Sequence, residues 1–153
     1  MSLPAVYRDA RRDEQTLRLR RVLALRAMAA TGLGQRAIAE AFGVSQPAVS
    51  QQLKFAPDLN NVHPEVLLEA ATPVLKALAD AYGYTRLAAC GSVARRQARD
   101  DSDIDLLVQA PAGTSTFAFI RFKLLIEEVL GRDVDLISHG GLKVGLDDDI
   151  RRP

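Results

Sequence analysis

Two aspartates at 103 and 105, set at the head of the apolar run Leu106-Leu107-Val108, constrain this chain more than any other feature. In an extended segment residues i and i+2 point to one face, so Asp103 and Asp105 stand side by side while Ile104 turns the other way. Neighbouring carboxylates repel and stay ionised only with something cationic between them. A divalent ion is the simplest answer, and Mg²⁺ favours carboxylates, waters and phosphate oxygens. Upstream, Gly91-Ser92 makes a tight turn that leads into the basic run Arg95-Arg96-Gln97-Ala98-Arg99. Gly91 lets backbone approach a phosphate closely, and Ser92 with the amides opening the next helix can bind its oxygens. Downstream, Asp133-Val134-Asp135 repeats the i, i+2 spacing ahead of Leu136-Ile137. If that strand lies beside the first, one of its two carboxylates completes a two-metal site suited to phosphoryl-type transfer.

The rest of the chain reads as scaffold and delivery. Leu17, Val22, Leu25, Met28 and Ala29 recur at helical spacing from about Arg8 to Thr31, with arginines between them and Gly32 as a stop. Two short helices follow, Gln35 to Phe42 and Gln46 to Lys54, meeting at Gly43, with Ser45 as N-cap and Pro47 in a first turn where it costs little. Phe55 to His63 has turn chemistry and no periodicity, which places a linker there. An apolar helical pattern returns from Pro64 to Tyr82; Pro73 makes two consecutive helices, the second capped by Thr72, and one kinked helix equally good readings. Strands are expected at Arg86 to Cys90, Ile104 to Val108 and Val134 to Ile137, with a helix from Ser115 or Thr116 to Gly131 between the last two. The expected fold class is therefore α/β (α+β), a helical domain over 1–57 and a small domain with a short mixed sheet over 58–153. The tail from Gly140 to Pro153 is expected to be loose or weakly helical.

Charge divides along the same line. Up to Pro57 nine Lys/Arg face four Asp/Glu, a net of +5; from Asp58 on, eleven face fifteen, a net of −4, which together give the overall +1. A basic front and an acidic back imply two tasks. The front pair of helices, with Ala39 small enough for close packing, Gly43 in the turn and Val49 buried on the second helix, resembles the helix-turn-helix of bacterial transcription regulators. That resemblance implies that Gln46, Ser50 and Gln51 face DNA, with Lys54 and other basic groups near phosphates. Glutamine suits the role because its amide pairs bidentately with adenine. The bland alternative is a helical hairpin packed on the rest of the protein with a solvated basic face. A lone motif of this kind binds weakly, so a homo-oligomer and an operator DNA partner are expected together.

Apolar residues at 48% and charged residues at 25% exclude a disordered or fibrous chain. No apolar run approaches the roughly 20 residues a bilayer requires, and Met1-Ser2-Leu3-Pro4 leads into a charged segment without the apolar core of a secretory signal. The lone Cys90 suits a reducing compartment, so a cytoplasmic protein without membrane association is expected. Cys90 reads as a small core residue, His63 and His139 as surface residues, and Asp147-Asp148-Asp149 as a solvated acidic run.

Gly91-Ser92, Ala94-Arg95 and Ser102-Asp103-Ile104-Asp105-Leu106-Leu107-Val108, followed by Val134-Asp135-Leu136, resemble the signature of the DNA polymerase β-type nucleotidyltransferase superfamily, especially its minimal bacterial members. The resemblance spans about Val66 to Ser138. It implies that Gly91 and Ser92 hold the triphosphate of ATP, that Asp103 and Asp105 bind Mg²⁺, and that Asp135 is the third catalytic and metal-binding carboxylate. It further implies an antitoxin that moves AMP onto a HEPN-type ribonuclease toxin; the alternative is a non-catalytic antitoxin and repressor that uses the same fold as a binding surface. The family carries glycine where this chain has Arg96, so the turn must hold a side chain or the short helix must run one residue further. Arg96, beside Arg95, then either lends charge to the phosphates or is a solvated arginine.

Overall fold

The structure, a computed structural model, describes residues 1–99 and 102–139; the acidic run at 147–149 and the rest of the tail lie outside the described residues. Six α-helices and three strands follow in order: α1 (Leu3–Ala30), α2 (Gln35–Phe42), α3 (Gln46–Lys54), α4 (Pro64–Ala81), β1 (Thr85–Cys90), α5 (Gly91–Ala94), β2 (Ile104–Gln109), α6 (Thr116–Leu130) and β3 (Val134–Ser138). This is the expected mixed α+β class. The sheet order is β1-β2-β3, with β1 antiparallel to β2 and β2 parallel to β3. A parallel pair needs a crossover, and α6 supplies it. Among the described residues no helix is long and apolar enough to cross a membrane.

The alternation in β2 divides the sheet into two faces. Ile104, Leu106 and Val108 are buried against the helices, while Asp105 is left half-buried on the other face. Opposite them pack Leu67, Ala71, Leu75 and Leu78 of α4 and Phe122, Ile126 and Val129 of α6. This core also takes in Leu19, Leu23 and Ala27 of α1. A second, smaller core joins Leu25 of the same helix to Ile38, Ala39 and Val49 of α2 and α3. One helix therefore contributes a face to each core.

Several expectations at element ends are refined. α1 begins at Leu3 and not near Arg8, because Ser2 caps it by accepting from the Ala5 amide. Gly43 takes the left-handed conformation that ends α2, and Ser45 caps α3 through the Ala48 amide. The linker region contains a 3₁₀ turn, Leu59–Asn61, whose Leu59 is buried in the main core.

Pro73 lies inside one uninterrupted helix, so the reading with two helices fails. The Thr72 hydroxyl caps nothing new and instead donates back to the Leu68 carbonyl at 2.6 Å. Pro73 has no amide to offer the carbonyl of Glu69 four residues earlier. Arg20 of α1 supplies the missing donors, with Nη2 to Glu69 O at 3.2 Å and Nε to Ala70 O at 2.9 Å. Arg26, two turns further along α1, bonds the carbonyls of Val129 and Glu128 in the last turn of α6, at 2.9 and 2.7 Å. Helix C-termini leave such carbonyls without intrahelical partners. Two arginines of the basic front thus fasten α1 to the sheet-bearing part of the molecule.

Candidate functional site

The parallel ladder between β2 and β3 sets Ile104 opposite Val134 and Asp105 opposite Asp135. Two carboxyls therefore meet across the sheet on its helix-free face, and Asp103 joins them two residues earlier in the extended chain. Antiparallel pairing brings Cys90, the last residue of β1, opposite Asp105 from the other side. Asp103, Asp133 and Asp135 also line a cleft of about 430 Å³ together with Lys123 and Glu127 of α6. Asp133 thus belongs to the same acidic cleft, but Asp135 holds the register position beside Asp105.

The electrostatics reflect this crowding. The carboxyl of Asp105 is pushed up to about 6, first by burial, then by a hydrogen bond with Asp135 and by the charges of Asp135 and Asp103; Arg95 pulls it the other way. A hydrogen bond between two carboxyls requires one of them to keep its proton. Burial, with the same two aspartates, also raises the Cys90 thiol, which keeps it protonated and a poor nucleophile. Cys90 accordingly acts as a half-buried packing residue.

Gly91 has φ +69°, and a Cβ there would collide with Oδ2 of Asp105 and stand 3.2 Å from its Cγ. The glycine is required by the carboxylate as well as by any phosphate, since no side chain fits between the turn and β2. Next, α5 is a single turn whose N-cap, Cys90, gives no side-chain bond to the opening amides. The helix closes with Gln97 N bonded to Ser92 O at 2.9 Å and Arg96 N to Val93 O at 3.1 Å, the pair of bonds of a Schellman motif. Arg96 occupies the left-handed position of that motif with φ +55°. Of the two expected solutions at this position, the turn therefore holds a side chain. The left-handed conformation costs a non-glycine residue about 1–2 kcal/mol. Arg95 and Arg96 are both exposed, beside the turn. The loop then closes on itself, with Arg99 N donating to the Ser102 hydroxyl at 2.7 Å and Ser102 N to Arg99 O at 3.0 Å, and delivers the chain to Asp103.

Three positions escape a sequence reading. His63 is not a surface residue: it caps α4, with Nδ1 accepting from the Glu65 amide at 3.2 Å, and Nε2 lies 3.0 Å from the Ala98 carbonyl. With Nδ1 as acceptor, the ring donates from Nε2, pinning the basic loop to the start of α4. Glu127 accepts from the Val134 amide at 2.9 Å and fixes the start of β3, while Lys123 supplies a cation to the acidic cleft. Only the spacing of Lys123 and Glu127, i and i+4 on one helix face, hints at a shared location.

The donor chemistry of this cleft fits a hard divalent cation: carboxylate oxygens converge, and two of them share a proton for want of a positive charge. Among the described residues no three His, Cys, Asp or Glu side chains already stand arranged to hold a metal ion, so the carboxylates would have to adjust around one. At the other end of the molecule, Gln46, Gln51 and Lys54 are exposed on α3 and Ser50 is half-buried, while Val49 faces the small core. The structure thus brings Asp103, Asp105, Asp135, Gly91, Ser92, Arg95 and Arg96 to one region, and places the four α3 residues on a separate part of the molecule.

A family model described as nucleotidyltransferase domain matches residues 73–151. A provisionally named protein adenylyltransferase of Methanocaldococcus jannaschii is 38% identical over 69 residues, covering 45% of this chain and 74% of that one. The protein adenylyltransferase MntA of Thermococcus cleftensis is 35% identical over 71 residues, covering 46% and 72%. A solved structure, provisionally named a minimal nucleotidyltransferase, shares 37% identity over 56% of this chain and 88% of its own, with a TM-score of 0.48.

Proposed function

Because the chain belongs to the nucleotidyltransferase domain family and is a nucleotidyltransferase of the minimal type, we propose that it moves AMP from ATP onto a hydroxyl of a partner protein, a HEPN-type ribonuclease toxin, and thereby acts as its antitoxin. The observation that carries this reading is the in-register pairing of Asp105 with Asp135, with Asp103 two residues away and Gly91 pressed against the pair. The names of the two relatives support a protein acceptor. The exposed α3 residues Gln46, Gln51 and Lys54, with Ser50 beside them, support a helix-turn-helix that reads operator DNA, with a homo-oligomer supplying two half-sites. A cytoplasmic setting follows from an ATP donor and an operator.

In the reaction the triphosphate lies against the Gly91-Ser92 turn, where the uncapped amides of α5 and the Ser92 hydroxyl meet its oxygens and Arg95 and Arg96 lend positive charge. Asp103, Asp105 and Asp135 would hold Mg²⁺, which when bound neutralises the triphosphate and makes the acceptor hydroxyl more acidic. The acceptor oxygen forms a bond to the α-phosphorus, the bond from that phosphorus to the α–β bridging oxygen breaks, and pyrophosphate leaves. The hydroxyl proton passes to the carboxylate group around Asp135.

The test incubates the chain and the ribonuclease with Mg²⁺ and ATP labelled in the adenine moiety. Label is expected on the ribonuclease, reduced at least about 100-fold in Asp103→Asn or Asp105→Asn, since charge stabilisation of this kind contributes on that order. Unchanged labelling by both variants would sink the assignment of the site. Full neutralisation of the toxin by variants that no longer transfer label would favour the binding-only antitoxin.

A further inference from the structure

α6 carries two surfaces that meet along its length. Phe117, Ile120 and Leu124 recur at i, i+3 and i+7 and are 79%, 44% and 56% exposed. Tyr82 at the end of α4, 48% exposed, stands beside Phe122 with ring centres 5.9 Å apart. A cleft of about 640 Å³ opens here, floored by Tyr84 stacked on Phe122 at 3.9 Å. Contiguous exposed apolar surface of this kind marks a binding site more often than chance exposure. The buried face of α6 is already satisfied by Phe122, Ile126 and Val129, so the outer stripe has no task in the fold described.

On the helix circumference Ile120 and Leu124 adjoin Lys123 and Glu127, which line the acidic cleft. Along the axis Ile120 and Glu127 are separated by about 10 Å, at 1.5 Å per residue. The apolar stripe thus runs directly into the edge of the catalytic cleft. A small acceptor needs no footprint beyond the cleft, whereas a protein acceptor must be held by a surface next to its reacting hydroxyl.

We propose that the Phe117–Ile120–Leu124 stripe of α6, with Tyr82, is the docking surface for the acceptor protein, whose complementary face is apolar and rimmed by carboxylates that meet Arg121 and Lys123. This rests on the reading of the chain as a protein adenylyltransferase. Docking on α6 delivers the acceptor hydroxyl over the rim formed by Lys123 and Glu127 to the three aspartates.

The experiment uses the full chain, Ile120→Glu and Leu124→Glu variants, and the HEPN-type ribonuclease as probe. Calorimetry reads the affinity for the ribonuclease and, separately, for ATP; label transfer and light scattering are measured on the same samples. Both positions are exposed, so the variants should keep their melting temperature. Affinity for the ribonuclease and kcat/KM for labelling should fall at least about tenfold, with ATP affinity unchanged. Equal ribonuclease affinity in wild type and variants, or no binding by the wild type, overturns the docking surface. Conversion of a wild-type dimer into monomers by the same variants assigns the stripe to a second copy and also overturns it. If the wild type binds without labelling and the variants lose binding, the docking surface stands and the transferase reading falls.

Discussion

At position 91 the backbone must be left-handed and the side chain must be absent, for two separate reasons. The φ of +69° disfavours any L side chain, and the space a Cβ needs is filled by the carboxyl of Asp105. Gly91→Ala therefore combines backbone strain with displacement of a catalytic carboxylate. Denaturant unfolding should show a loss of about 1–3 kcal/mol, and label transfer should fall more than stability alone explains. A variant with wild-type activity would show that Asp105 does not need its present position. Asp105 itself sets a pH dependence. Its folded carboxyl is raised to about 6 from 3.8, so the folded state holds a proton over the range between these values that the unfolded chain has released. Its contribution to stability is fully present below the unfolded value and is lost as pH rises through the folded one. In metal-free protein the melting temperature should fall between pH 5 and pH 7.5 by an increment that Asp105→Asn removes. Mg²⁺ should raise the melting temperature at pH 7.5 more than at pH 5. A pH step identical in wild type and Asp105→Asn would assign it to other groups.

At the scale of elements, α1 and α4 are joined by an exchange of hydrogen-bond partners. Pro73 deprives the Glu69 carbonyl of its helical donor, and Arg20 replaces that donor from the neighbouring helix. Arg20→Ala should cost about 1.5–3 kcal/mol, the range for hydrogen bonds to a charged group. In a Pro73→Ala background, where residue 73 again has an amide, the cost should shrink. Additive effects of the two substitutions in denaturant unfolding would refute the exchange. The proline was legible in the sequence, but its accommodation was not, because the helical periodicity on either side of Pro73 fits a break and a continuous helix equally well. The site shows the same division. The i, i+2 spacing around Asp103 and Asp105 and the later Asp-Val-Asp identify the carboxylates, since alternation in a strand is a local property. The pairing of Asp135 and not Asp133 with Asp105 depends on the β2–β3 register, which arises only when α6 has brought the strands together. His63 was missed for a related reason: its partner Ala98 lies 35 residues away, and no local pattern connects them.

At the scale of the molecule, composition draws a line near residue 57, yet α1 lies across it. Leu19, Leu23 and Ala27 are buried with the sheet and α4, Leu25 is buried with α2 and α3, and Arg20 and Arg26 close open carbonyls of α4 and α6. The surface that the proposed function assigns to DNA is therefore carried on a helix that is part of the catalytic core, without a flexible joint between them. A fragment of residues 58–153 would uncover the face of α4 that α1 covers. Burial of each leucine is worth about 1.5–3 kcal/mol, and the two arginines add charged hydrogen bonds. The loss should exceed about 5 kcal/mol, which for a chain of this size corresponds to a melting temperature lower by at least about 10 °C. The intact chain should unfold in one calorimetric transition, because neither core is complete without α1. Two resolved transitions, or a 58–153 fragment as stable as the whole, would show that the two parts fold independently. In that case operator binding could not be coupled through α1 to events at the three aspartates. A single transition makes that coupling physically available, since any load on α3 reaches α4 and α6 through one continuous helix.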